Sequence, residues 1–172
     1  MTHQITSSQT IGPFPHEAWR WAEALSQAGS SAAQRVTIAG VMFDGQGVPV
    51  SDGWVEAWTP EAAAAEGERP VPGFRRHATG EDGGFRLELS LPAKPRPGEP
   101  VAWITLFGRG ILKHQFSAVF LADAPGLADS ELLAQVPAPR RDTLVAQRQA
   151  DGSYRWDIHL QGERETVFLD FM

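Results

Sequence analysis

RVTIAGVMFDGQGVPVSDGWVEAWT, residues 35–59, decides the fold class. Val36, Ile38, Gly40 and Met42 alternate with Thr37, Ala39, Val41 and Phe43, and β-branched side chains at this density favour a pleated surface over a helix. Asp44-Gly45-Gln46-Gly47, with Pro49 close behind, must reverse the chain before the second run, Trp54-Val55-Glu56-Ala57-Trp58. Further on, the turn at 79–84 opens a strand in which Phe85, Leu87 and Leu89 share one face while Arg86 and Glu88 share the other.

The remaining segments extend this β reading. Residues 101–108 form a nearly continuous apolar run, as expected of a strand covered on both faces, and 115–121 is another strand. In the tail, Tyr154, Trp156, Ile158 and Leu160 alternate with polar residues and face inward. Gly162-Glu163 then turns the chain into a returning strand over 166–169, a hairpin. Ahead of the β region, residues 1–13 are polar and close on Gly12-Pro13, which suits an extended arm that needs something to lie on. The spacing of Ala18, Trp19, Ala22 and Leu25 predicts a short helix over 15–28. Segments 61–72 and 92–100 read as surface loops. Asp129 is placed to cap a short helix through Leu133, and 140–148 reads as a further helical turn or two. The expected architecture is all-β: a two-sheet β-sandwich with short peripheral helices and an extended N-terminal arm. It forms one domain over 1–172, with the arm at 1–14 and the sandwich core at 35–172.

Composition excludes several functions. The chain has 172 residues, 15 Lys and Arg against 21 Asp and Glu, a net charge of -6 and no basic cluster beyond a pair, which argues against a nucleic-acid partner. With no cysteine there is no disulfide, thiolate metal site or cysteine nucleophile, in keeping with a cytoplasmic location. No apolar window approaches a membrane span, and the N-terminus lacks an export pattern, so no membrane association is expected.

Few residues invite chemistry. The five histidines, His3, His16, His77, His114 and His159, show no close ligand spacing and read as surface or structural groups. Glu163, Glu165 and Asp170 fall on a turn and an edge, a solvated face. Arg109 lies between Gly108 and Gly110 at the end of an apolar strand, where the backbone can bend sharply. Its guanidinium either enters a neighbouring cleft or pairs with a local carboxylate. Thr10, Gly12 and Pro13 belong either to a functional arm seated on a partner or to a free tail.

Several separate motifs, in order, carry a resemblance. These are SQTIGPF at 8–14; Gly40, Asp44, Gly47, Pro49-Val50, Val55-Glu56 and Trp58; Phe85 after its glycine turn; LFGRG at 106–110; and YRWDIHLQGERETVFLDF at 154–171. The chain resembles the intradiol ring-cleaving dioxygenases over nearly its whole length. The resemblance implies a β-sandwich and a non-haem Fe(III) held by two Tyr and two His, with ring opening of protocatechuate by O2 between its hydroxyl-bearing carbons. Catalytic members carry a histidine pair just ahead of the LFGRG-type motif, and here those positions hold Val101 and Trp103. The region after Trp58 lacks the family's tyrosine, and the chain has a single Tyr, Tyr154. It therefore matches the non-catalytic subunit of two-chain members, in which a catalytic beta subunit binds the Fe(III) and αβ units form a larger oligomer. The resemblance further implies that Arg109 faces the substrate carboxylate in the partner's site. Thr10, Gly12 and Pro13 would line that site's mouth, and Trp103 is expected to fill the vestigial pocket. Two rival readings remain: a transthyretin-like β-sandwich binding module without enzymatic activity, and a homo-oligomeric relative that has lost catalysis.

Overall fold

The computed structural model describes residues 7, 9–12, 20–27 and 34–170. Among these, nine strands form one hydrogen-bonded sheet: β1 (Arg35–Phe43), β2 (Trp54–Trp58), β3 (Phe74–Ala78), β4 (Gly84–Ser90), β5 (Ala102–Phe107), β6 (Gln115–Leu121), β7 (Val145–Arg148), β8 (Tyr154–Arg155) and β9 (Ile158–His159). The order is β3-β2-β5-β6-β7-β8-β1-β4, with β9 also on β1. Two short helices accompany them, α1 (Arg20–Gln27) and α2 (Glu131–Gln135). The all-β expectation holds, and the strands quoted at 35–59 pair as their pattern requires, β1 with β4 and β2 with both β3 and β5, all antiparallel.

Alternation explains the core. Ile38 and Met42 of β1 meet Phe85, Leu87 and Leu89 of β4, Val55 and Ala57 of β2, Ala102, Ile104 and Leu106 of β5, and Tyr154, Trp156 and Ile158 from the tail in one buried cluster. A smaller cluster joins Ala118 and Phe120 of β6 to Leu133, Val136 and Leu144. The strand closed over on both faces is therefore β6 rather than β5, whose second face carries the half-buried Trp103 and Phe107.

The two ends of the path lie close together. Arg75 on β3 is 3% exposed; its Nε donates to the Glu88 carbonyl of β4 (2.6 Å), and its terminal nitrogens pair with Glu66, which is 0% exposed. Burying a charge this deeply is tolerated only when it is paired and hydrogen-bonded, and Glu66 also accepts from the Gly73 N–H (2.7 Å). The outer edge of β3 is covered by α1. There Ser26 Oγ donates to the Arg76 carbonyl (3.1 Å) and accepts the Arg76 N–H (3.0 Å), while Glu23 accepts the Ala78 N–H (3.3 Å).

Four local expectations change. The loop at 61–72 is not all surface, because it carries buried Ala63 and Glu66. Ser130, not Asp129, caps α2, accepting the Leu133 N–H (3.3 Å). Residues 138–144 form a 3-10 turn, but 145–148 is strand β7. The tail is not a regular hairpin. Both β8 and β9 run parallel to β1, and the Asp157 carboxylate accepts the Val41 N–H (2.9 Å) between them, interrupting the ladder. The return touches back where the Thr166 N–H reaches the His159 carbonyl (2.9 Å) and the His159 N–H reaches Thr166 Oγ1 (3.0 Å), where Ser117 Oγ donates to the Val167 carbonyl (2.8 Å), and where Leu169 bridges Phe116.

Candidate functional site

The LFGRG segment leaves the sheet at the end of β5, where the ladder with β2 finishes at Trp54 opposite Phe107. Past that pair the chain turns through Arg109 and Gly110, whose φ of +87° suits glycine. The peptide groups on either side of Arg109 have lost their ladder partners, and a single side chain from the arm takes both. Thr10 Oγ1 donates to the Gly108 carbonyl (3.3 Å) and accepts the Gly110 N–H (3.0 Å). A hydroxyl can do this because it is both donor and acceptor.

Arg109 itself projects outward with its side chain 65% exposed. Its Nε lies 2.9 Å from Asp52 Oδ2, a carboxylate only 19% exposed. Beneath it a cleft of about 690 Å³ is lined by Arg109, Ile111, Leu112, Leu160, Glu165 and Phe168. Of the residues singled out in the sequence, Thr10 and Arg109 are thus brought together. Gly12 follows in the same described stretch with a φ of +78° and open space around it, and Pro13 lies outside the described residues. Sequence reasoning missed Asp52. Its place follows from the pairing of β2 with β5, which the sequence pattern does not declare: continuing the antiparallel register from Trp54 and Phe107 by two residues sets Asp52 opposite Arg109.

The residues of this chain do not fit an iron centre of the tyrosine and histidine type. The one tyrosine is committed, its phenol donating to Asp123 Oδ1 (2.7 Å). Burial, and then this bond to Asp123, raise the Tyr154 pKa, whereas the phenol followed by Arg148 holds the Asp123 carboxyl below its ordinary value. His114 sits between the rings of Phe107 and Phe116, and His159 stacks on Phe43 (5.0 Å). Burial, and after it the nearby Arg164, lower the His159 pKa. Among the described residues no group of three or more His, Asp or Glu side chains is placed to hold a metal ion.

Val101 and Trp103 border two different clefts, each of about 490 Å³. The first is walled by Val36, Thr59, Leu91, Leu121 and several prolines, the second by Glu99, Ser130, Leu132 and Gln135. Trp103 faces Trp58 across the strands and packs towards the smaller core cluster. The open cleft beside it counts against the expectation that its indole fills a vestigial pocket. Among the described residues no helix is long and apolar enough to cross a membrane.

No family model matches the chain. The alpha chain of protocatechuate 3,4-dioxygenase from Burkholderia cepacia is 34% identical over 194 residues, covering 98% of both chains. The corresponding alpha chain from Pseudomonas putida is 34% identical over 197 residues, covering 96% of both. The beta chain from Burkholderia cepacia is 24% identical over 186 residues, spanning 94% of this chain and 78% of its own length. Among solved structures, the dioxygenase domain of a carbohydrate-binding fusion protein from Streptomyces sp. SirexAA-E superposes with a TM-score of 0.59 at 16% identity, covering 83% of this chain and 86% of that one. That likeness speaks to the fold.

Proposed function

The chain belongs to the family of protocatechuate 3,4-dioxygenase alpha chains, and from that premise we propose that it is the alpha subunit of an Fe(III)-dependent intradiol dioxygenase. In this reading it holds no iron and completes the active site of a catalytic beta subunit. The reaction opens the ring of protocatechuate between its two hydroxyl-bearing carbons and adds both atoms of O2, giving 3-carboxy-cis,cis-muconate. Iron chemistry belongs to the beta chain, whose kind is itself a relative of this sequence. This chain contributes Arg109, whose terminal guanidinium nitrogens can take the substrate carboxylate in a two-point ion pair. The arm residues Thr10, Gly12 and Pro13 border the mouth of that site.

The observation that carries this reading is the Thr10 bridge, which seats the arm on the two peptide groups flanking an exposed arginine. A free tail would have no reason to meet that loop. The donor set argues the same way, since Val101 and Trp103 offer no ligand and Tyr154 is engaged by Asp123. We also read the strand path as two layers of a sandwich. Support comes from the main core, which lies between the inward faces of β1 and β4 and those of β2, β5 and β6. One domain over 1–172, a cytoplasmic setting and αβ units in a larger oligomer complete the proposal.

Purification of the chain alone and together with a beta chain tests it. Alone, the chain is expected to bind no Fe(III) and to lack the visible tyrosinate–iron absorption; the pair is expected to cleave protocatechuate. Arg109→Ala in the pair should raise KM at least about tenfold, the usual scale for losing a hydrogen-bonded charge. Ring cleavage by the isolated chain would overturn the proposal.

A further inference from the structure

We propose that Asp52 is a positioning residue that aims Arg109, and so helps the assembled enzyme discriminate in favour of a ring bearing a carboxylate. This rests on the assignment of Arg109 to the substrate carboxylate and extends it to a residue with no assigned role. The geometry comes from the sheet itself. Because β2 and β5 are antiparallel with Trp54 opposite Phe107, the next residues outward on each chain are Gly53 and Gly108, followed by Asp52 and Arg109. The pair is a cross-strand ion pair formed just beyond the end of the ladder, Nε to Oδ2 at 2.9 Å.

The two partners differ in mobility. Arg109 is a long side chain, 65% exposed and flanked by glycines. Asp52 is short, 19% exposed and set in a locked turn. Gly53 donates its N–H to Thr79 Oγ1 (2.9 Å), and its carbonyl accepts the Thr79 N–H (2.9 Å). A Cβ at position 53 would come within 2.8 Å of Met42 Sδ and 3.4 Å of the Phe107 carbonyl, so glycine allows the turn to sit tightly against the end of β5. The fixed carboxylate therefore holds the mobile guanidinium. It engages Nε, leaving the two terminal nitrogens, the edge that binds a carboxylate at two points, for a ligand. Thr10 secures the same loop through its backbone, so main chain and side chain are each held.

The test uses the αβ complex carrying Asp52→Ala, Asp52→Asn, Arg109→Ala or Asp52→Ala with Arg109→Ala. Steady-state KM and kcat are measured for protocatechuate, together with the dissociation constant of catechol, the same ring without the carboxylate. Asp52→Ala is expected to raise KM about fivefold, the upper range for a partly exposed ion pair, with kcat and catechol binding unchanged. Asp52→Asn, which keeps the side chain's shape and removes its charge, should fall between wild type and Asp52→Ala, and it serves in place of the alanine variant if that one fails to assemble. On the Arg109→Ala background Asp52→Ala should add nothing. The proposal is overturned if Arg109→Ala raises KM but Asp52→Ala leaves it unchanged, lowers it as a mere competitor for the guanidinium would, or weakens catechol binding equally. If Arg109→Ala itself leaves KM unchanged, the assignment of Arg109 has failed, and the role of Asp52 with it.

Discussion

Thr10 and the loop at 108–110 are joined by one hydroxyl, which makes their coupling easy to probe. In Thr10→Val the shape is kept and both hydrogen bonds are lost. Each such bond contributes about 1 kcal/mol net, and the exposed Gly110 N–H can turn to water instead. The αβ complex is expected to show a KM raised about fivefold, with a melting temperature lowered by only about 2–4 °C because no core contact is touched. A lowered melting temperature with unchanged KM would mean that the bridge serves folding and not the site. Arg109 stood out in the sequence because glycines flanked it. Asp52 did not, since its meaning depends on a strand register that no local pattern declares.

Among the elements, β3 is one that a hydrophobic pattern cannot reveal. Its inward residue is Arg75 where a sheet normally points an apolar group, and the neutralising partner, Glu66, comes from a segment whose alanine and glutamate content looks like surface. Burial alone would raise the Glu66 pKa. The hydrogen bond from Arg75 and that from the Gly73 N–H outweigh it and bring the carboxyl from 4.5 down to about 2. Because the folded-state value is depressed, the stabilisation is complete above the unfolded value and is lost as pH falls towards the folded one. It amounts to about 3 kcal/mol, disappearing between about pH 5 and pH 2. Urea unfolding of the isolated chain across that range should show the loss, and Glu66→Gln should flatten it. Arg75→Ala leaves a buried carboxylate unpaired and is expected to cost about 3–5 kcal/mol in the same measurement, whereas replacing both residues with apolar ones of similar size should recover most of it.

At the scale of the whole molecule, strands with a dense apolar pattern were readable from sequence, by alternation in β1 and β4 and by nearly continuous apolar runs in β2, β5 and β6. β7 was misjudged because pairing with distant neighbours, not local pattern, makes it a strand, whereas the tail's alternation announced β8 and β9 but not their parallel pairing with β1. That one tyrosine cannot supply two tyrosinate ligands was legible by counting, while the seating of the arm was not. Adding Fe(III) to the isolated chain should leave its visible spectrum blank and its melting temperature unshifted, since a metal that does not bind the native state cannot stabilise it. The helix α1 and Arg75 carry one more implication. Ser26 and Glu23 occupy hydrogen-bonding groups along the rim of β3, and Arg75 claims a carbonyl on the rim of β4. A lone strand rim invites other chains to polymerise onto it, so a subunit made before its companion arrives can wait in solution without seeding fibrils.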